Sequence, residues 1–102
     1  VLRNNLIVCL DNISGNIIWS KNIFNGINGK KKKKLVSIID FKIVNNEINI
    51  FFRNGYLLSF NPKNGNLNYL GRISKNGINS EIVFLNDKMF FIDNKNKLLK
   101  FN

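Results

Sequence analysis

The chain has 102 residues and a net charge of +10, with an isoelectric point near 10.1. A single Cys and no His exclude an intrachain disulfide and leave a nucleophile-plus-base site without its usual members. Ala, Thr and Gln are also absent while Asn, Lys, Ile and Phe abound. Part of the lysine excess therefore follows A/T-rich codons, so the charge favours acidic surfaces in general and nucleic acid is not an expected partner.

Residues 5–10 and 16–20 are predicted to pair as a hairpin around Asn12–Gly15, with Gly15 supplying the positive φ such a turn needs. Cys9 lies in the apolar run Leu6–Leu10, where a small buried strand residue is expected. Asp11 opens the turn and should accept backbone N–H bonds. Residues 21–34 are rich in Asn and Gly and end in Lys30-Lys31-Lys32-Lys33-Lys34. They show no hydrophobic period and read as a loop. Four strands follow, over 36–44, 47–53, 56–61 and 66–73, broken by Asn45-Asn46, Asn54-Gly55 and Pro62–Gly65. Gly55 and Gly65 are the turn glycines. Residues 81–102 are expected to add three more strands. No apolar run approaches the roughly 18–20 residues of a membrane-spanning helix.

The chain repeats itself. Leu10-Asp11-Asn12-Ile13-Ser14-Gly15-Asn16-Ile17-Ile18-Trp19 lines up without a gap on Phe60-Asn61-Pro62-Lys63-Asn64-Gly65-Asn66-Leu67-Asn68-Tyr69, 50 residues on. Leu98-Leu99-Lys100-Phe101-Asn102 matches Leu57-Leu58-Ser59-Phe60-Asn61 at an offset of 41. The surplus in the first interval falls where the lysines are. Strands such as Ile48-Asn49-Ile50-Phe51-Phe52 are nearly continuous in apolar residues, which implies burial on both faces and a stack of sheets. The fold class expected is all-β, a partial β-propeller of about two and a half four-stranded antiparallel blades. Residues 1–20 would end one blade, 21–34 form a basic inter-blade loop, 35–73 make a full blade and 74–102 give three strands of the last. A closed ring needs about four to eight blades, so the chain is expected to be the C-terminal part of a longer protein.

The element from Leu10 to Trp19 resembles the repeat signature of pyrroloquinoline-quinone-type propellers, roughly A-L-D-x-x-T-G-x-x-x-W. Leu10, Asp11, Gly15 and Trp19 match, and Ser14 stands for Thr; in the second copy Asn61 replaces the Asp and Tyr69 the Trp. Asn54-Gly55-Tyr56-Leu57, Gly65, Ser80-Glu81-Ile82-Val83 and a last strand at Phe101-Asn102 further resemble the C-terminus of BamB-type lipoproteins of the outer-membrane β-barrel assembly machinery. The resemblance implies a non-enzymatic scaffold that binds protein partners at the periplasmic face of the outer membrane, with no cofactor and no metal. The alternative is the tail of a quinone-dependent dehydrogenase, although the vicinal Cys pair of those enzymes is missing.

Trp19 and Tyr69 are accordingly expected to pack blade against blade rather than to stack on a ligand. Phe51-Phe52 and Phe90-Phe91 are expected in the core. Lys30–Lys34 reads first as a solvated loop and second as a contact for an anionic membrane surface.

Overall fold

Backbone turned left-handed at Asn and Gly punctuates the strands, and it recurs at the spacing of the repeat. Asn45 and Asn46 take φ of 52° and 59°, and 41 residues on Asn86 and Asp87 take 52° and 64°. Gly15 and Gly65 share φ of 74° and 73°, while Asn5, Gly55 and Asn96 are positive at equivalent positions. Asn tolerates this region better than other residues with a Cβ, because its short polar side chain bonds locally. The repetition is therefore one of backbone shape as well as sequence.

The computed structural model describes residues 2–3, 5–25, 27, 29–35 and 37–101, apart from the side chains of Arg3, Lys31 and Lys32. The strands are β1 (Leu2–Arg3), β2 (Leu6–Leu10), β3 (Ile17–Asn22), β4 (Ile38–Val44), β5 (Glu47–Phe52), β6 (Tyr56–Phe60), β7 (Leu67–Arg72), β8 (Val83–Leu85), β9 (Lys88–Ile92) and β10 (Leu98–Phe101), with one helical turn, α1 (Gly29–Lys32). They form three antiparallel sheets in chain order: β1-β2-β3, β4-β5-β6-β7 and β8-β9-β10. The protein is all-β. The expected strand positions at Val36 and Asn102 lie outside the described residues.

Two cores lie on opposite faces of the central sheet. Strand period 2 sends Ile48, Ile50 and Phe52 of β5, with Leu58 and Phe60 of β6, to one face, where they meet Ile7 of the first sheet, Ile23 and Leu35. Phe51 and Leu57 point the other way, onto Met89 and Phe91 of the third sheet and onto Ile78 and Ile82. Phe51, Phe52 and Phe60 are each at most 1% exposed. Burial of this kind contributes about 1.5–3 kcal/mol per side chain. The continuous apolar reading of β5 and β6 thus has its cause: both faces are covered by another sheet. Phe90, by contrast, is only half-buried.

One polar pair interrupts the second face. Asn49 and Ser59 are cross-strand partners, both buried. Ser59 Oγ donates to Asn49 Oδ1 at 2.8 Å, and Asn49 Nδ2 donates to the Glu47 carbonyl at 3.3 Å. Each satisfies the other's desolvated polar atoms.

Two expectations are corrected. The stretch 21–34 is not a plain loop: Lys21 and Asn22 complete β3, and Gly29–Lys32 forms a helical turn closed by Lys33 N donating to Gly29 O at 3.2 Å. Its apolar residues pack, with Ile23 fully buried and Phe24 and Ile27 against the first core. Their spacing is irregular, so no period exposes them. The first copy also has a third strand, β1, too short at two residues to give a pattern.

Candidate functional site

The repeated turns at Asp11–Asn16 and Asn61–Asn66 are built alike. Asp11 N donates to Asn16 O at 2.8 Å and Gly15 N to Asp11 O at 2.9 Å; Asn61 N donates to Asn66 O at 2.9 Å and Gly65 N to Asn61 O at 2.7 Å. A β-bulge precedes both, between Cys9 and Leu10 and between Ser59 and Phe60. Cys9, opposite Trp19 in the β2–β3 pairing, is half-buried rather than buried.

These turns place Trp19. Its indole Nε1 donates to the Pro62 carbonyl at 2.7 Å, in the turn of the next sheet. The six-membered ring lies against Gly65, where a Cβ would stand 3.1 Å from Trp19 Cε3. Gly65 thus serves twice, by its positive φ and by leaving room for the indole. Gly15 has nearly the same φ, but a Cβ there would meet nothing within 4 Å. Trp19 is half-buried.

Tyr69 departs from this pattern. It is 42% exposed, and its phenol leans along its own strand over Gly71, whose missing Cβ makes the space. Beside it runs a cleft of about 400 Å³ whose lining includes Asn49, Leu57, Ser59, Met89 and Phe101 and the acids Glu47 and Asp87. Asn45 Nδ2 bridges this end to Asp87 Oδ1 at 3.1 Å.

The lysine run lies at the opposite end of the sheets. The side chains of Lys30, Lys33 and Lys34 are exposed, and those of Lys31 and Lys32 lie outside the described residues. The run is anchored at its end: Asn54 Nδ2 donates to the Lys34 carbonyl, and the adjoining Leu35 is buried. Gly55, with φ of 94°, sits in the next turn.

Two aspartates cap turns. Asp11 Oδ1 accepts from Ser14 N and Ile13 N, both at 2.9 Å, and these bonds hold its carboxyl below the usual carboxylate range. Asp93 Oδ1 accepts from Lys97 N and Lys95 N at 2.9 Å, and Oδ2 from Asn76 Nδ2 at 3.5 Å. The Lys97 amide contributes most to lowering its pKa. Asp93 carries the same signal in the sequence as Asp11, an acid opening a turn, and is the capping residue that the sequence reading lacks. A depressed folded-state pKa contributes stability that is present above the unfolded value near 3.8 and is lost as pH falls through the folded one. Asp93→Asn should therefore melt below the parent chain at about pH 6, the gap closing by about pH 2. Thermal melts across that range check it; a gap that stayed constant in acid would contradict the role of the charge.

Among the described residues no three His, Cys, Asp or Glu side chains come together, and no helix is long and apolar enough to cross a membrane. What the geometry provides is a set of rigidly held turns at two rims. No protein-family model and no curated protein matches the sequence.

Proposed function

We propose that the three sheets are successive blades of a quinoprotein-like β-propeller, and that the protein is a non-enzymatic scaffold for protein–protein interaction. The carrying observation is that the outer faces of the first and third sheets expose apolar side chains. Leu6, Leu10 and Ile18 are exposed on the first sheet, and Val83, Leu85 and Leu98 on the third. Several exposed apolar side chains on one sheet face mark a face made to be covered, and in a ring of blades each face covers its neighbour's. The Trp19 contact with the next sheet's turn supports the same reading, since it joins one repeat to the next.

The mechanism is one of presentation. A rigid stack holds its rim turns in fixed geometry, so a partner chain loses less conformational entropy in recognising them. The assignment to outer-membrane β-barrel assembly, at the periplasmic face, rests on resemblance in the Leu10–Trp19 and C-terminal motifs, because a propeller alone does not dictate function. Titration of the purified chain against the reconstituted assembly machinery tests it. Saturable binding at or below about 10 μM is expected, and none up to about 100 μM would overturn it. Raised melting on adding pyrroloquinoline quinone with Ca²⁺ would favour the dehydrogenase reading instead.

The end faces also carry a prediction about the chain by itself. Sedimentation velocity should show concentration-dependent self-association at micromolar protein, driven by the uncovered sheets. A stable monomer with a cooperative melt and strong near-ultraviolet dichroism is the contrary result.

A further inference from the structure

The two ends of the sheet stack differ in charge. Successive strands are antiparallel, so the β5–β6 turn, the β9–β10 turn and both linkers between sheets fall at one end. Hydrogen bonds join these segments across sheets: Asn54 Nδ2 to Lys34 O, Ile78 N to Arg53 O at 2.9 Å, and Asn94 N to Asn76 O at 3.2 Å. This end exposes Lys30, Lys33 and Lys34 beside Arg53, and then Lys75, Lys95 and Lys97 from the segments around the third sheet. The acids there are already engaged. Asp93 is buried under backbone N–H groups, Asp40 accepts from Phe41 N at 2.8 Å and Ile82 N at 3.2 Å, and Glu81 pairs with Lys42 Nζ at 3.4 Å. At the other end Lys63, Lys88 and Lys100 stand beside Asp11, Glu47 and Asp87, three cations against three acids.

We propose that the basic rim docks on a bilayer containing anionic phospholipid. Three observations favour this partner over nucleic acid. The cations are spread over the turns of successive sheets, as a broad face rather than a groove. Most of the cations at this end are lysines, with Arg53 and Arg72 as the arginines, and lysines are point charges without the bidentate fork that reads phosphodiesters closely. The aromatic side chains there, Phe24 and Tyr56, are half-buried, whereas single-strand binders stack bases on exposed aromatics. A crevice of about 490 Å³, lined by Phe24, Leu35, Ile38 and Phe52 together with the polar Asn5 and Ser37, opens beside the lysine run. Its mixture of apolar and polar lining suits an amphiphile. The inference stands whether or not the sheets belong to a propeller.

Co-sedimentation of the full chain with vesicles tests it. Binding is expected to phosphatidylcholine vesicles containing about one quarter phosphatidylglycerol and not to phosphatidylcholine alone, and it should disappear by about 0.5 M salt as screening shortens the Debye length. Inorganic phosphate should compete no better than chloride at equal ionic strength, which separates a lipid surface from a free-phosphate site. The triple variant Lys75→Ser/Lys95→Ser/Lys97→Ser and the replacement of Lys30–Lys34 by Ser should each lower vesicle binding at least about tenfold. The matched triple at the other end, Lys63→Ser/Lys88→Ser/Lys100→Ser, should change it less than about twofold. Near-ultraviolet dichroism reports whether each variant keeps its fold. If the first triple unfolds, the lysine-run variant carries the comparison, because its described side chains are all exposed. Equal losses from the two ends would overturn the proposal, as would displacement of the chain from vesicles by a DNA duplex at equal phosphate.

Discussion

Gly55→Ala is expected to be the most damaging single methyl group that can be added to this chain. Gly55 holds φ of 94°, a region where a side chain costs about 1–2 kcal/mol before any contact is made. A Cβ there would also run into the carbonyl oxygen of Ser74, and that oxygen belongs to backbone. The neighbourhood cannot step aside easily. Gly55 O accepts from Ile73 N at 2.8 Å, Arg72 Nε donates to Ser74 O at 3.2 Å, and Ser74 Oγ donates to Gly77 O at 2.5 Å. The expected loss is about 4 kcal/mol or more, in the range reserved for backbone strain combined with overpacking. Gly15→Ala is the matched control. Its φ is 74°, but nothing lies within 4 Å of the added carbon, so it should cost only the backbone part, about 1 kcal/mol. Denaturant melts of the pair measure both. Equal losses would mean that the approach of Ser74 to Gly55 is not a feature of the folded chain.

The second large effect is expected at Trp19. Truncation to Ala removes a half-buried indole from Gly65 and leaves the Pro62 carbonyl without its 2.7 Å donor. The cost should be about 3 kcal/mol, towards the lower end for a large aromatic because the ring is not wholly enclosed. Trp19→Phe keeps most of the packing and loses the donor, so about 1 kcal/mol separates it from the parent chain. Tyr69→Ala should cost less than Trp19→Ala, since the phenol is 42% exposed and rests on its own strand. Parity between the two alanine variants would contradict the distinct environments seen at the two repeat positions.

Strands and turns are legible in the sequence for a physical reason. Hairpins here are short, and each turn spends an Asn, Asp or Gly on left-handed backbone, which leaves a written mark at Asn45-Asn46, Asn54-Gly55 and Asn61–Gly65. The apolar runs Ile48–Phe52 and Tyr56–Leu58 likewise encode burial on two faces, and the cores found on either side of the central sheet account for them. The packing of the linker before β4 is not legible because Ile23, Phe24, Ile27 and Leu35 have no common period, so only their tertiary surroundings reveal them as core. The five adjacent lysines mask them further. Tyr69 shows the opposite limit: sequence equivalence to Trp19 is real, but equivalence of environment depends on what covers each ring, and that is a property of neighbouring segments. Charge segregation between the two rims is invisible in the sequence for the same cause. It emerges only once antiparallel topology sends Arg53, Lys75, Lys95 and Lys97 to the end occupied by the lysine run.

The central claim is that sequence repeats become separate antiparallel sheets stacked face to face, with each joined to the next through repeated turns. A crystal structure of the chain at side-chain resolution tests it most directly. Phe52 and Phe51 are expected in cores on opposite faces of β4–β7, with the Trp19 indole N–H on the Pro62 carbonyl. A single continuous sheet pairing β3 edge-to-edge with β4, with Trp19 turned to solvent, would contradict it.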